Sequence, residues 1–322
     1  MDKYIIIFGS NGYIGKYLVL EAIKRGYRVI GIKYKHFRST LINSPRVLYI
    51  DLDIRFQFNK QNKLIEATKD KKIIGIVNAA ALLGISDYEA NYMVNAQGVL
   101  NMINFAKEIE ISRFIQISSV VVKKKIKGPY AVTKLLGQNY LVNSSLNYTI
   151  FIPALVLGPE SLGINRVLKN VFRFPLFVPL IGKGEQLQHP VFVKDFAWAI
   201  IQSIEEKKSS HKIYEIASEN PISFKNLVKL ILKIRNSKKI FVPIPIFITM
   251  IFGKIFEIIQ KVPVFTSEHV MGVTQDSIMN ITKIKKDLGF CPTLIEKSLQ
   301  YTLNEIGNDW NQYLRSRSEK II

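Results

Sequence analysis

The sequence predicts an α/β chain: a doubly wound parallel sheet with a smaller, discontinuous C-terminal lobe. Three observations carry this. In the first half, short β-branched runs alternate with amphipathic helical stretches, and each run is continuously apolar, as strands covered on both faces are. Three glycines follow the first run directly. After Ile152 the alternation gives way to a stretch punctuated by prolines.

Taken in order, YIIIF (4–8), RVIGI (28–32), VLYI (47–50), IIGIV (73–77) and RFIQI (113–117) read as strands. Helical patterns cover 14–24, roughly 61–68, and 87–107. Pro153, Pro159, Pro175, Pro179 and Pro190 then mark a region with little periodicity. KIYEIA (212–217) reads as a further strand, and helical patterns resume at 223–234 and 294–305. There is no internal repeat. The expected division assigns 1–155 with 190–218 to a dinucleotide-binding domain and 156–189 with 219–310 to a substrate lobe, leaving 311–322 as a basic tail.

The 322 residues, 48% of them hydrophobic, suffice for such a core. A single cysteine, Cys291, excludes an intramolecular disulfide and fits a reducing, cytoplasmic setting. The apolar start is about five residues long, too short for a signal-peptide core. The uncharged stretch IFVPIPIFITMIFG (240–253) is shorter than a spanning helix and carries Pro243 and Pro245. It reads as a buried or groove-lining segment, with membrane-surface contact as the alternative. The net charge of +20 admits nucleic acid, anionic membrane or anionic substrate as partners. Lysine is scattered along the whole chain and no nucleic-acid module signature is present, so no nucleic-acid partner is expected.

Gly9, Gly12 and Gly15 sit between the first strand and the first helix, the context of a Rossmann-type dinucleotide turn. The first permits a tight turn, the second admits a pyrophosphate, and the third lets the helix pack close to the sheet. The helix N-terminus offers N–H groups and partial positive charge. The spacing G-x-x-G-x-x-G, with LDIRF, IVNAAALLG, YMVNAQGVLNMINFAK, IPALVLGP, HPVFVKDFAWAI and KDLGFCP, resembles the extended short-chain dehydrogenase/reductase superfamily, in its NAD(P)-dependent epimerase/dehydratase branch. The likeness runs over roughly residues 3–305. It implies cofactor contacts from Gly9, Asn11, Gly12, Tyr13, Ile14 and Gly15 in the turn, from Asp53 and Ile54 at the adenine, and from Ala80, Ala81, Asn95 and Pro153 further along. It also implies an Asn-x-x-Gly helix (Asn95, Gly98), a structural Asp195, and a homodimer through a four-helix bundle.

NAD-preferring members carry an acidic residue at the end of the second strand. This chain has Lys33 and Lys35 there, with Arg38 nearby, which suits a 2′-phosphate and favours NADP over NAD.

Catalytic residues are expected in ISSVVVKKKIKGPYAVTK (117–134). Tyr130 and Lys134, four apart, share one face of a helix. A nearby ammonium and a positive nicotinamide ring favour the phenolate, making Tyr130 a general acid/base. By the resemblance Ser119, not Ser118, holds the substrate oxygen. Related 4,6-dehydratases carry an Asp-Glu pair where this chain has Val120 and Val121, which argues against elimination of water. On the substrate side the resemblance points to Leu82 and to Gln188, which stands where sugar-nucleotide members place a pyrophosphate-binding arginine. An arginine before Pro153 is likewise replaced by Ile152. Arg166 and Arg173 are candidate replacements.

Three functions follow. The leading one is an NAD(P)-dependent C4 epimerase or 4-keto reductase of a nucleotide sugar, in polysaccharide biosynthesis. The second is a reductase or dehydrogenase of a hydrophobic or lipid-linked substrate. The third is a cofactor-binding subunit without turnover, similar to the accessory subunit of respiratory complex I. The lysines at 123–127 read as a solvated edge, or as positive charge in place of the missing arginine.

Overall fold

The computed structural model describes residues 2–36, 41–58, 63–249 and 275–307. Arg38, the first residues of the helix expected at 61–68, positions 250–253 and the tail at 311–322 lie outside them. The first half runs β1 (Lys3–Phe8), α1 (Tyr13–Lys24), β2 (Arg28–Lys33), β3 (Val47–Asp51), α2 (Lys63–Thr68), β4 (Lys72–Asn78), α3 (Tyr88–Tyr92), α4 (Gly98–Glu108), β5 (Arg113–Ile117), α5 (Pro129–Val142) and β6 (Asn147–Pro153). The second continues with β7 (Val156–Leu157), α6 (Leu162–Phe172), β8 (Phe177–Ile181), β9 (Leu187–Gln188), β10 (Val191–Phe192), α7 (Val193–Glu205), β11 (Lys212–Ile216), β12 (Ile222–Ser223), α8 (Phe224–Ile234), β13 (Ile240–Ile244), α9 (Thr282–Leu288) and α10 (Ile295–Ile306).

Seven strands form one sheet in the order β11-β6-β5-β4-β1-β2-β3, every pairing parallel. The direction of winding reverses between β1 and β4, so a crevice opens above their C-terminal ends. The continuous apolar runs have a direct cause. Successive side chains point to opposite faces, and both faces of this sheet are covered. Ile5 and Ile7 pack with α1, α7 and α9 through Leu18, Phe196, Ile200 and Ile284. Ile6 and Phe8 pack with α4 and α5 through Met102, Phe105 and Leu141.

A third apolar cluster lies apart from the sheet. It joins α6, β8, α8 and α10 through Ile164, Leu168, Val178, Leu180, Leu227, Ile231 and Leu299. Thr293 ties the late KDLGFCP segment to the start of α7: its N–H and hydroxyl both donate to the Asp195 carboxylate, at 2.6 and 2.9 Å. Among the described residues no helix is long and apolar enough to cross a membrane.

Two elements differ from the sequence reading. The helix expected over 87–107 is interrupted by a π turn, Met93–Gln97, between α3 and α4. At this turn Gly137 of α5 comes so close that a Cβ there would lie 2.1 Å from the Asn95 carbonyl. The stretch after Ile152 is not irregular: it holds α6, β8 and the start of α7. Pro159, Pro175 and Pro190 fall between elements, before α6, β8 and β10, and Pro179 sits within β8 of a two-stranded sheet, while Ile164, Leu168 and Val171 keep helical spacing on a buried face.

Candidate active site

The glycine turn closes the crevice at the end of β1. Gly9 has φ +73°, and a Cβ there would lie 2.7 Å from the Ala80 backbone N. A Cβ on Gly15 would lie 2.0 Å from the Gly9 carbonyl oxygen. Gly12 N–H donates to that oxygen at 2.9 Å, and Gly12 is the N-cap of α1. It provides no side-chain cap, and the first turn contains no acidic residue. The open helix N-terminus beside a Cβ-free loop fits a dinucleotide pyrophosphate. A nicotinamide dinucleotide held there would supply or accept hydride at the far end of the crevice.

The rest of the turn is occupied within the protein. Asn11 Nδ2 donates to the Tyr34 carbonyl at 3.3 Å, tying the turn to the end of β2. The Tyr13 phenol packs onto Gly158, where a Cβ would lie 2.1 Å from its oxygen, and Ile14 packs against the sheet core.

At the adenosine end the expected cations are not equivalent. Lys33 Nζ donates to Asp51 on the neighbouring strand at 2.5 Å, so its charge is already countered. Lys35 is exposed. Asp53 is gripped by Arg55, whose Nη2 and Nε donate at 2.6 and 2.9 Å. That guanidinium holds the Asp53 carboxyl below the usual carboxylate range. It also lies over the Tyr34 ring, 5.8 Å from the centroid. Arg55 was missed in the sequence, although its place two residues beyond Asp53 is the signal for a local carboxylate fork. Ile54 is buried against Gly98, and its carbonyl accepts from Asn101 Nδ2 at 2.8 Å.

On the other side of β1, the loop after β4 is fixed by side-chain amides. Asn78 Oδ1 accepts from Ala80 N–H at 2.9 Å. Asn95, buried in the π turn, accepts from Leu82 N–H at 3.1 Å and donates to the Leu82 carbonyl at 3.2 Å. Asn95 therefore shapes the loop carrying Ala80, Ala81 and Leu82. Pro153 ends β6 beside Ile216 of β11.

Ser118 and Ser119 follow β5 and have different surroundings. Ser118 is buried and its hydroxyl donates to Gln138 Oε1 at 2.9 Å. Ser119 lies beside the Tyr130 phenol and opposes the rise in its pKa. Tyr130 and Lys134 lie on α5, which starts with Pro129 at a position where a missing N–H costs nothing. Lys134 is 2% exposed and its Nζ donates to the Ile117 carbonyl at 2.7 Å. Burial lowers its pKa to about 8. Burial also pushes the Tyr130 phenol well above the ordinary tyrosine range, against a smaller opposing effect from Ser119. Without a cofactor ring, desolvation therefore keeps Tyr130 protonated, as a proton donor.

The substrate side is less complete. Gln188 lies on β9, and its Nε2 is buried with no hydrogen-bond partner among the described residues. Asn165 Oδ1 on α6 is likewise buried and unpartnered. Arg166 is exposed, and its guanidinium reaches Gly84 in the loop after Leu82, where a Cβ would lie 3.1 Å from Nη2. Arg173 caps the C-terminal end of α6, two turns and about 10 Å further along, with its guanidinium over the Phe174 ring.

The lysine loop is a solvated edge only in part: Lys123 and Lys125 are exposed, and Lys124 is half-buried. Lys124 Nζ donates to the carbonyls of Gln275 and Asp276 at 3.0 and 2.8 Å and to Ser277 Oγ at 3.1 Å. Lys123 pairs with Glu215, Lys127 donates to the Lys124 carbonyl at 2.7 Å, and Lys125 is exposed. The strap that Lys124 grips also borders Gln188: Leu187 N–H donates to Asp276 Oδ1 and Ser277 N–H to the Leu187 carbonyl, at 2.8 and 2.9 Å. One lysine thus joins the Ser119–Tyr130 connection to the substrate side.

A parallel sheet with a glycine turn at its switch point and a Ser-Tyr-Lys group beside it defines a nicotinamide-dependent enzyme class. The family model described as NAD dependent epimerase/dehydratase family matches residues 5–217. The chain belongs to that family, an enzyme family of the extended short-chain dehydrogenase type. It is 22% identical over 304 residues to "NADH dehydrogenase [ubiquinone] 1 alpha subcomplex subunit 9, mitochondrial" of Dictyostelium discoideum, covering 91% of this chain and 82% of that one. It is 20% identical over 359 residues to "3beta-hydroxysteroid-dehydrogenase/decarboxylase isoform 2" of Arabidopsis thaliana, covering 95% of this chain and 62% of that one. Its fold is similar to that of UDP-glucuronic acid 4-epimerase from Bacillus cereus in complex with NAD, with TM-score 0.73 and 20% identity, over 96% of this chain and 99% of the other.

Proposed function

We propose that the protein is an NAD(P)-dependent hydride-transfer enzyme acting on a nucleotide-activated sugar, as a C4 epimerase or a 4-keto reductase. The observation that carries this reading is the grouping of Ser119 and Tyr130 with the buried Lys134, whose Nζ donates to the Ile117 carbonyl at the end of β5 at 2.7 Å. Ser119 holds the sugar oxygen, Tyr130 gives or takes its proton, and Lys134 supplies the cation that eases proton loss when the cofactor ring is positive. Protonated Tyr130 suits delivery of a proton to a newly reduced ketone. Val120 and Val121 offer no acid–base pair for eliminating water. The likeness to a UDP-glucuronic acid 4-epimerase supports a nucleotide sugar, bound by Leu82, Arg166 and Gln188, with Arg173 at greater distance. Presenting UDP- and dTDP-sugars with NADH and NADPH tests the reading. A C4-inverted or reduced product is expected; no turnover of any nucleotide sugar rejects it. Net loss of NAD(P)H absorbance marks a reductase, and a cofactor recycled without loss marks an epimerase.

The NADP preference rests on Lys35 among the described residues, since Lys33 is paired. NADPH should bind more tightly than NADH, and the reverse order overturns the preference. A cytoplasmic homodimer, with the helical run over 87–107 and the helix over 130–143 in its bundle, belongs to the same reading. The second reading, a hydrophobic or lipid-linked ketone or alcohol, is favoured by Gln188 and Ile152 in place of arginines and by the likeness to a hydroxysteroid dehydrogenase/decarboxylase. Activity dependent on detergent or lipid would select it. A cofactor-binding subunit without turnover is supported by the likeness to an NADH dehydrogenase subunit. It takes precedence if Tyr130→Phe leaves the cellular role unchanged.

A further inference from the structure

We propose that the face formed by β8 and β13 docks on the surface of an anionic lipid bilayer. This inference does not depend on which reaction the cleft performs.

The two strands pair in parallel, with Phe177 in register with Ile240, Pro179 with Val242 and Ile181 with Ile244. Residues in register point the same way, and alternate residues point oppositely. The inner face sends Val178, Leu180 and Phe241 into the third apolar cluster. The outer face is those three registered pairs, and none of the six is polar. A strand pair with only one packed face ordinarily carries polar residues outside. Here the apolar surface runs on past both ends. Leu176, whose carbonyl accepts from Ile240 N–H, is 74% exposed and Ile240 is 72% exposed. At the other end Ile246 and Phe247 are 41% and 65% exposed, with Ile246 beside the Gly182 turn. A contiguous apolar patch of this kind on a soluble face marks an interaction surface.

Charge selects the occupant. Residues 161–184 and 220–249, which build this face and the helices behind it, contain ten Lys or Arg and no Asp or Glu. Some of these cations are engaged: Lys239 donates to the Val171 and Phe174 carbonyls, Arg235 to those of Leu303 and Gly307, and Lys225 and Lys233 pair with Glu185 and Glu296. Arg173 and Lys238 remain exposed near the Leu176 end, and Lys183 near the Ile246 end. An apolar centre with cations at both ends matches acyl chains beneath anionic headgroups. A second copy of this chain would bring the same cations and the same +20 charge against it.

The experiment is co-sedimentation of the full chain with vesicles of phosphatidylcholine alone and of an equal mixture with phosphatidylglycerol. The mixed vesicles are expected to bind the protein at least about tenfold more tightly, and added salt to weaken that binding. Replacing Leu176, Ile240 and Phe247 together by serine should cut binding about tenfold or more, with thermal unfolding and NADH binding retained. In a second variant, Phe247→Trp, the tryptophan emission should shift to shorter wavelength when the mixed vesicles are added. Failure of the wild type to bind, full binding by the triple variant, or no shift in the tryptophan variant each overturns the proposal. So does a dimer that the triple variant converts to monomer without either protein binding vesicles; the face would then belong to a second copy.

Discussion

The two walls of the cleft are built by different means. The cofactor wall is backbone against backbone: Gly9 on Ala80, Gly15 on Gly9, Gly12 opening α1. Its side chains are paired, with Asn95 clasping Leu82 and Arg55 clasping Asp53. The proposed substrate wall is built of longer side chains, and two buried polar atoms assigned to it, Gln188 Nε2 and Asn165 Oδ1, have no partner among the described residues. A wall complete without ligand serves one shape of ligand. A wall with open valences is finished by whatever it binds. This difference separates a cofactor that can be named from a substrate class that has to be proposed.

Tyr130 sits at the seam, and its loss should have the largest effect. Tyr130→Phe should lower kcat by about 10²–10⁴-fold on any nucleotide sugar the wild type converts. NADH affinity should stay within about twofold, because no cofactor-wall contact is removed. Equal loss of cofactor binding would mean the two walls are not separable at this residue.

Gly15→Ala attacks the cofactor wall alone. The added carbon would lie 2.0 Å from a backbone oxygen, so α1 must move off the turn. NADH affinity should fall about tenfold or more, the worth of one hydrogen bond to a charged phosphate. Unchanged affinity in a fluorescence titration would show that the turn is looser than its contacts imply.

Lys134 gives a pH signature. Its pKa is lowered to about 8 by burial, below the ordinary lysine value of 10.5. Above pH 8 the cofactor-free enzyme loses this cation, so kcat/KM should fall towards higher pH with an apparent pKa near 8. Stability should move the other way. Between pH 8 and 10.5 the unfolded chain holds a proton that the folded chain has released, so folding gains as pH rises. Lys134→Met should therefore raise the unfolding free energy below pH 8, by about 1–2 kcal/mol once the lost bond to the Ile117 carbonyl is allowed for. A destabilised variant would mean that the bond outweighs the burial of charge.

How far each wall could be read in the sequence follows from the same contrast. The glycines were legible because only glycine tolerates those approaches, and the strands because their runs are apolar on both faces. The π turn was not legible, since Asn95 keeps helical spacing and the turn lies where Gly137 closes on it from another helix. Nor was the role of the lysines. Lys124 binds two carbonyls some 150 residues away, and carbonyls carry no sequence signal. Lys124→Met should loosen that strap beside Gln188, raising KM for substrate several-fold with kcat nearly unchanged, because the hydrogen bonds of Lys124 Nζ go to residues 275–277. A drop in kcat alone would place its effect on the catalytic loop instead.

The smallest effect is expected at Gln188, and it tests what the open valences are for. A buried N–H without a partner costs about 1–3 kcal/mol. Gln188→Met keeps the shape and removes the donor, so the substrate-free enzyme should become more stable by about 1 kcal/mol. If the amide exists to meet a substrate oxygen, KM should rise by about fivefold to tenfold, the worth of one neutral hydrogen bond, while NADH binding stays the same. Greater stability with unchanged KM would mean that the substrate wall tolerates an idle amide. Recognition would then fall to Arg166 and the loop after β4, whose Gly84 lies against that arginine.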